Sequence, residues 1–280
     1  MNRTASAEPR LVPSALRIFN LSLGQMLWSK RSLLLGLIVA GPITLAFLLR
    51  LVATIQPRAL PRINGSVLDG AGLFGMMIWL LYVRFIVPVL GVFYGTALIA
   101  DEVDDKTITY LFTRPVRRMA VLLGKYFAYL AASTLLILPS IVIVYFLVVP
   151  VSGAGIGAAF PSLLADLLVI LVGLASYGAL FALVGARLKR PLVVGLVFTL
   201  GWEPGVLLFP GYLKRFTVAY YLQALVPHAS PQESTISLLM QVFQDVPTLT
   251  SSILGLAVIT LGALWLAGRA VEEREYVLDQ

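Results

Sequence analysis

The densest group of ionisable side chains in this sequence is Asp101, Glu102, Asp104, Asp105 and Lys106, followed closely by Arg114, Arg117 and Arg118. Asp101 and Asp105 form a D-x-x-x-D, a spacing that holds magnesium for a diphosphate in prenyl transferases. That chemistry needs a second acidic cluster, and the remaining acids are scattered. A metal hydrolase fares no better. The one histidine, His228, has only Glu233 as a neighbouring ligand, whereas a catalytic zinc takes about three protein ligands. A serine–histidine dyad would depend on the same His228, held between Pro227 and Ala229. The absence of cysteine removes thiolate metal sites and thiol catalysis. Gly124-Lys125 is followed by Tyr126, and Met119 stands five positions before Gly124, so no G-x-x-x-x-G-K-[ST] phosphate loop exists. The glycines of Ser152–Ala159 follow an apolar run and read as a turn. The charged group therefore has no catalytic reading of its own: by itself it is compatible with a solvated, charged cytoplasmic turn, with an intramembrane enzyme kept as a remote alternative.

The elements that position these residues are set by composition. The chain has 280 residues, 59% hydrophobic and 12% charged, with a mean hydropathy of +0.92. Soluble domains are roughly 45–50% apolar and about 25% charged, so a water-soluble fold is excluded. Apolar runs near 33–55, 72–100, 120–149, 162–186, 191–209 and 251–269 each approach the length of about 20 residues that a bilayer core demands. The expected fold is an all-α membrane protein with six spans across residues 33–269. Residues 1–32 then form a cytoplasmic N-terminus with an interfacial helix, and 270–280 a cytoplasmic tail. Spans four and five meet across the basic link Arg187–Pro191 and should be antiparallel neighbours.

Six spans put both termini on one side, and lysine and arginine choose which. Fifteen of the 21 basic residues fall on the side of the termini, five fall opposite, and Arg84 lies within a span. The termini are therefore expected in the cytoplasm of a multi-pass cell (inner) membrane protein. The basic excess thus reports membrane orientation rather than nucleic acid. Ser14–Arg31, after Pro13, is expected as an amphipathic helix with Ser14 as N-cap. Leu213–Val226 and Gln232–Phe243 are too short to cross and are expected as helices dipping into the outer leaflet.

Val103, Thr107, Ile108, Leu111 and Phe112 lie between the acidic and basic groups and form a small apolar face on a short helix. Arg114-Pro115 should end it, and Pro115 suits the first turn of the next. The run from the acidic exit through TITYLFTRPVRR to LLGKY resembles the region after the second span of type-2 ATP-binding-cassette (ABC) exporter permeases. Glu102, Thr107, Leu111, Pro115, Val116, Arg118, Gly124 and Lys125 match that pattern; Asp105-Lys106 and Arg117 depart from it. GWEPGVLLFPGYLKRFTV at 201–218 is similar to the fifth-span exit of a bacterial subgroup of the same permeases. The resemblance implies the membrane half of a dimeric exporter, as a homodimer or paired with a similar chain, in contact with membrane lipids. It also implies that a helix near 103–113 docks on separate ABC ATPase subunits. Glu102, Asp104, Asp105, Lys106, Ile108, Leu111, Phe112, Arg114, Pro115, Arg117 and Arg118 would form this coupling surface. ATP and magnesium would sit on the partner ATPase, leaving no cofactor or metal in this chain. The implied mechanism is export by alternating access. The alternative is a complex of the same build that passes ATPase motion to envelope assembly or signalling partners.

Arg84 and Glu203 stand out as charges that interrupt predicted spans. Each costs on the order of 2.5–3.5 kcal/mol near a helix centre and should face the bundle interior with a partner. Their similar depths predict an ion pair between spans two and five, against separate snorkelling to the outer interface. Gly91 and Gly95 form a G-x-x-x-G that permits close helix approach, within one subunit or across a dimer. Pro42, Pro88 and Pro139 are expected to kink their spans. Tyr82, Tyr94, Tyr145 and Tyr177 are expected as packing residues rather than the lining of a path.

Overall fold

The computed structural model describes residues 11–56, 62–63, 66–67, 69–104, 118–152, 156–206, 212–226 and 247–273. Its helices are α1 (Leu11–Leu27), α2 (Lys30–Ile55), α3 (Gly70–Ala100), α4 (Arg118–Val148), α5 (Phe160–Arg187), α6 (Pro191–Val206), α7 (Val218–Gln223) and α8 (Leu249–Glu273). Helix α3 continues in helical backbone to Asp104. Five of these, α2, α3, α4, α5 and α8, are long and apolar enough to cross a membrane, and α6 is a shorter apolar helix. Its expected continuation to residue 209 lies outside the described residues.

Backbone groups in a bilayer must be satisfied within the segment, so apolar runs of this length can only be helical. Burial then ranks them. The most apolar stretches of α3 and α5 are 61% and 56% buried, against 28% for α2 and 17% for α8. Spans two and four are therefore the axis of the bundle, and the outer helices turn leucine and valine toward lipid. Such exposure carries no penalty where the solvent is itself hydrocarbon.

Several boundaries differ from the sequence expectation. Helix α1 already includes Leu11, so Ser14 lies inside it and is not its cap. It ends at Leu27, because Ser29 takes an extended conformation and caps α2 by accepting from the Ser32 amide at 3.2 Å. Lys30 and Arg31 thus begin the first span and do not finish the preceding helix. The expected helix Leu213–Val226 is also divided. A 3-10 turn over Tyr212–Phe216 precedes Thr217, which is extended and caps the six-residue α7. Gln232–Phe243 lies outside the described residues. An unexpected feature is the antiparallel pair β1 (Arg62–Ile63) and β2 (Ser66–Val67). Its signal stood in the sequence: Asn64-Gly65, between the two strands, is a favoured two-residue hairpin dipeptide.

Candidate functional site

Hydroxyl groups stitch the interior of the bundle together. Tyr126 and Tyr129 of α4 donate at 2.8 Å to the carbonyls of Ala175 and Leu174 in α5. Tyr82 of α3 pairs at 2.6 Å with Ser140 of α4, which in turn donates at 3.2 Å to the Val39 carbonyl of α2. Tyr94 pairs with Ser32 at 2.6 Å, tying the C-terminal half of α3 to the start of α2. Tyr145 donates to the Ile156 carbonyl. Tyr82, Tyr94, Tyr145 and Tyr177 are all fully buried. They are packing residues with satisfied hydroxyls, as a hydrocarbon environment requires.

Glycines decide how closely the axis helices approach. A Cβ on Gly91 would stand 2.8 Å from the Tyr177 Cβ, and one on Gly95 would stand 3.0 Å from the Phe181 Cβ. The G-x-x-x-G of α3 therefore faces α5 of the same chain. Gly178 lies under the Tyr129 ring, whose Cζ would be 2.7 Å from an added Cβ. Gly124, in the LLGKY run, seats α1: its Cβ would meet the Ala15 carbonyl oxygen at 2.7 Å and the Ile18 Cβ at 2.9 Å.

The charged centre lies where α3, α5, α6 and α7 converge. Glu203 is 3% exposed. One carboxylate oxygen accepts from the Tyr177 hydroxyl, and the other accepts from the Val218 amide at 3.2 Å. Val218 is the first residue of α7, so Glu203 places negative charge at the positive end of that short helix. The carboxylate thereby joins α6, α5 and α7. Arg84 is half-buried on α3, its guanidinium carbon 4.9 Å from the centroid of the Trp79 ring. It is within electrostatic reach of Glu203 and Tyr177.

Both charges accompany π-helical backbone. Ile78–Ile86 and Phe198–Trp202 have the widened turn, and each stretch is followed within two residues by a proline, Pro88 and Pro204. Proline has no amide hydrogen, and its ring crowds the carbonyl four residues earlier. Widening the turn relieves that crowding. Pro42 and Pro139 nevertheless sit in uninterrupted α-helix, so proline alone does not dictate the change.

Three of the residues expected to couple to an ATPase fall among the described residues. Glu102 and Asp104 lie on the helical extension of α3. Asp105, Lys106, Ile108, Leu111, Phe112, Arg114, Pro115 and Arg117 lie outside the described residues. Arg118 starts α4, and its guanidinium donates at 3.1 Å to the carbonyls of both Val271 and Glu272. It thereby ties the start of the third span to the last turn of α8, where a cation also suits the helix dipole.

Two functional groups escaped the sequence reading. The first is Asp166, 0% exposed and one and a half turns into α5. It lies within the predicted fourth span, and an aspartate inside an apolar run was itself the signal. The second is Tyr177 as the direct partner of Glu203. No sequence signal couples residues 26 positions apart on different spans.

A sequence model described as "ABC-2 family transporter protein" matches residues 17–267 of the chain. No curated protein matches it.

Proposed function

We propose, from the premise that this chain belongs to the ABC-2 family of transporter proteins, that it is the membrane-spanning permease subunit of an ATP-driven exporter. The observation that carries this reading is the family match across nearly the whole helical bundle. In this reading α6 with the residues after it completes a sixth crossing. The termini then face the cytoplasm of a cell (inner) membrane, on the side richer in lysine and arginine. The chain works as a dimer, with itself or a similar permease, and pairs with separate ABC ATPase subunits that bind ATP and magnesium.

Force from the ATPases enters through the segment between α3 and α4. Its first residues extend α3 directly, so a push there moves an axis helix. Arg118 at the start of α4 relays the same push to α8 through its two carbonyl contacts. Alternating access then follows as two arrangements of packed helices, which switch rather than deform gradually. Arg84 on α3 and Glu203 on α6 interact through space, and closer approach of the two charges in one of those arrangements is part of the proposal.

The test is co-purification. Ile108→Asp and Phe112→Asp place a charge on the apolar face of the proposed docking helix. Each should abolish retention of the ATPase while membrane insertion is unchanged. An ATPase that stays bound and coupled in both variants would show that the contact lies elsewhere.

A further inference from the structure

A guanidinium within the bilayer region demands acceptors, because water is scarce there and the charge is costly to strand. Arg84 is the residue in question, and the oppositely charged Glu203 takes its hydrogen bonds from other donors. Glu203 uses one oxygen for the Tyr177 hydroxyl and the other for the Val218 amide. Among the described residues, Arg84 makes no hydrogen bond or ion pair. Its neighbours are the Trp79 ring at 4.9 Å and, through space, Glu203 and Tyr177. The ring and the Glu203 carboxylate offset its charge through space without occupying any N–H donor. Five donors in a planar fork, partly exposed, match the two oxygens of a carboxylate or phosphate.

The surroundings specify the rest of the ligand. Leu80, one turn from Arg84, is 52% exposed, and Phe85 beside it is 44% exposed. A headgroup on Arg84 thus has apolar surface along the same helix for a hydrocarbon chain. Trp79 is an amphipathic ring that tolerates both a cation and an adjoining alkyl chain. A bound anion also feels the repulsion of Glu203, which suits a ligand that must bind and then leave.

We propose that Arg84, flanked by Trp79, Leu80 and Phe85, is a recognition site for an amphiphile bearing a phosphate or carboxylate headgroup. This names a cargo class for the permease and in that sense rests on the reading above, but its test requires no ATPase.

The full chain is placed in nanodiscs of neutral lipid, and equilibrium binding of four probes is measured. They are dodecyl phosphate, dodecyltrimethylammonium, dodecyl maltoside and inorganic phosphate. Dodecyl phosphate should bind about tenfold more tightly than the cationic or neutral amphiphile, the ratio expected of one charge-assisted pair. Arg84→Gln should erase that preference, and Arg84→Lys should restore it only partly, because the ammonium lacks the fork. Equal binding of the three amphiphiles, or an undiminished preference in Arg84→Gln, overturns the site. Inorganic phosphate binding as tightly as dodecyl phosphate overturns the amphiphile in favour of a free anion. Should Arg84→Gln fail to fold, a photoreactive dodecyl phosphate on the wild-type chain decides the matter. Labelling must fall within residues 78–88, and labelling elsewhere refutes the proposal. A wild-type chain that co-purifies with an ATPase but shows no anion preference sinks this inference alone; a wild-type chain that shows the preference but co-purifies with no ATPase sinks the permease reading alone.

Discussion

Tyr177→Phe and Tyr129→Phe remove the same oxygen from two fully buried rings on neighbouring helices, and the structure predicts different costs. Tyr129 donates to a neutral carbonyl, that of Leu174, at 2.8 Å. Tyr177 donates to the Glu203 carboxylate. Interhelical hydrogen bonds in membranes average about 0.6 kcal/mol and reach about 1.7 kcal/mol, while bonds to charged groups contribute about 1.5–3 kcal/mol. Tyr129→Phe should therefore cost about 0.5–1 kcal/mol and Tyr177→Phe about 1.5–2 kcal/mol. The larger loss arises because Glu203, 3% exposed, stays buried after losing the Tyr177 donor. Glu203→Gln supplies the second half of the cycle. It keeps an acceptor for the Val218 amide and removes the charge, so it should cost less in the Tyr177→Phe background than in the wild type. A coupling of about 1 kcal/mol is expected, beyond the roughly 0.3–0.5 kcal/mol within which independent sites add. The assay is equilibrium unfolding of the purified chain by sodium dodecyl sulfate in mixed micelles, followed by circular dichroism. Equal costs for the two phenylalanine variants, or additive effects at Tyr177 and Glu203, would refute the reasoning that this contact is charge-assisted.

Two further substitutions probe the glycine contacts. Gly178→Ala drives a methyl group to 2.7 Å from the Tyr129 Cζ; overpacking of this kind costs about 1–3 kcal/mol, although alanine favours helix by about 1 kcal/mol. Net destabilisation in the same unfolding assay is expected, and net stabilisation would show that the ring can move aside. Gly124→Val should lever α1 away from α4, because its Cβ meets the Ala15 carbonyl at 2.7 Å. Trypsin should then cut at Arg17 about tenfold faster than in the wild type, since about 1.4 kcal/mol of lost packing is a factor of ten in local opening. Unchanged cleavage would mean that α1 is not seated there.

Much of this protein is written locally in its sequence. An apolar run long enough to span hydrocarbon has no alternative to helix, so α2, α3, α4, α5 and α8 follow from composition and length. The order of charged and apolar residues through TITYLFTRPVRR to LLGKY carries the family resemblance without any tertiary information. Asn64-Gly65, a hairpin dipeptide, and Asp166, an acid inside an apolar run, are legible in the same local way. Other features could not be read from the chain. Gly91 and Gly95 permit close approach by any helix, and only the assembled bundle gives them Tyr177 and Phe181 as neighbours. Pro88 and Pro204 accompany π-helical turns whereas Pro42 and Pro139 do not, so the residue type alone does not determine the local backbone. The partners of Glu203 are likewise a tertiary choice. Its depth made Arg84 the expected contact, yet the carboxylate is bonded to Tyr177 on one helix and Val218 at the start of another. Depth is set by rise per residue and is therefore a property of sequence. Azimuth and distance across the bundle are set by how several helices pack at once, and a hydrogen bond requires both.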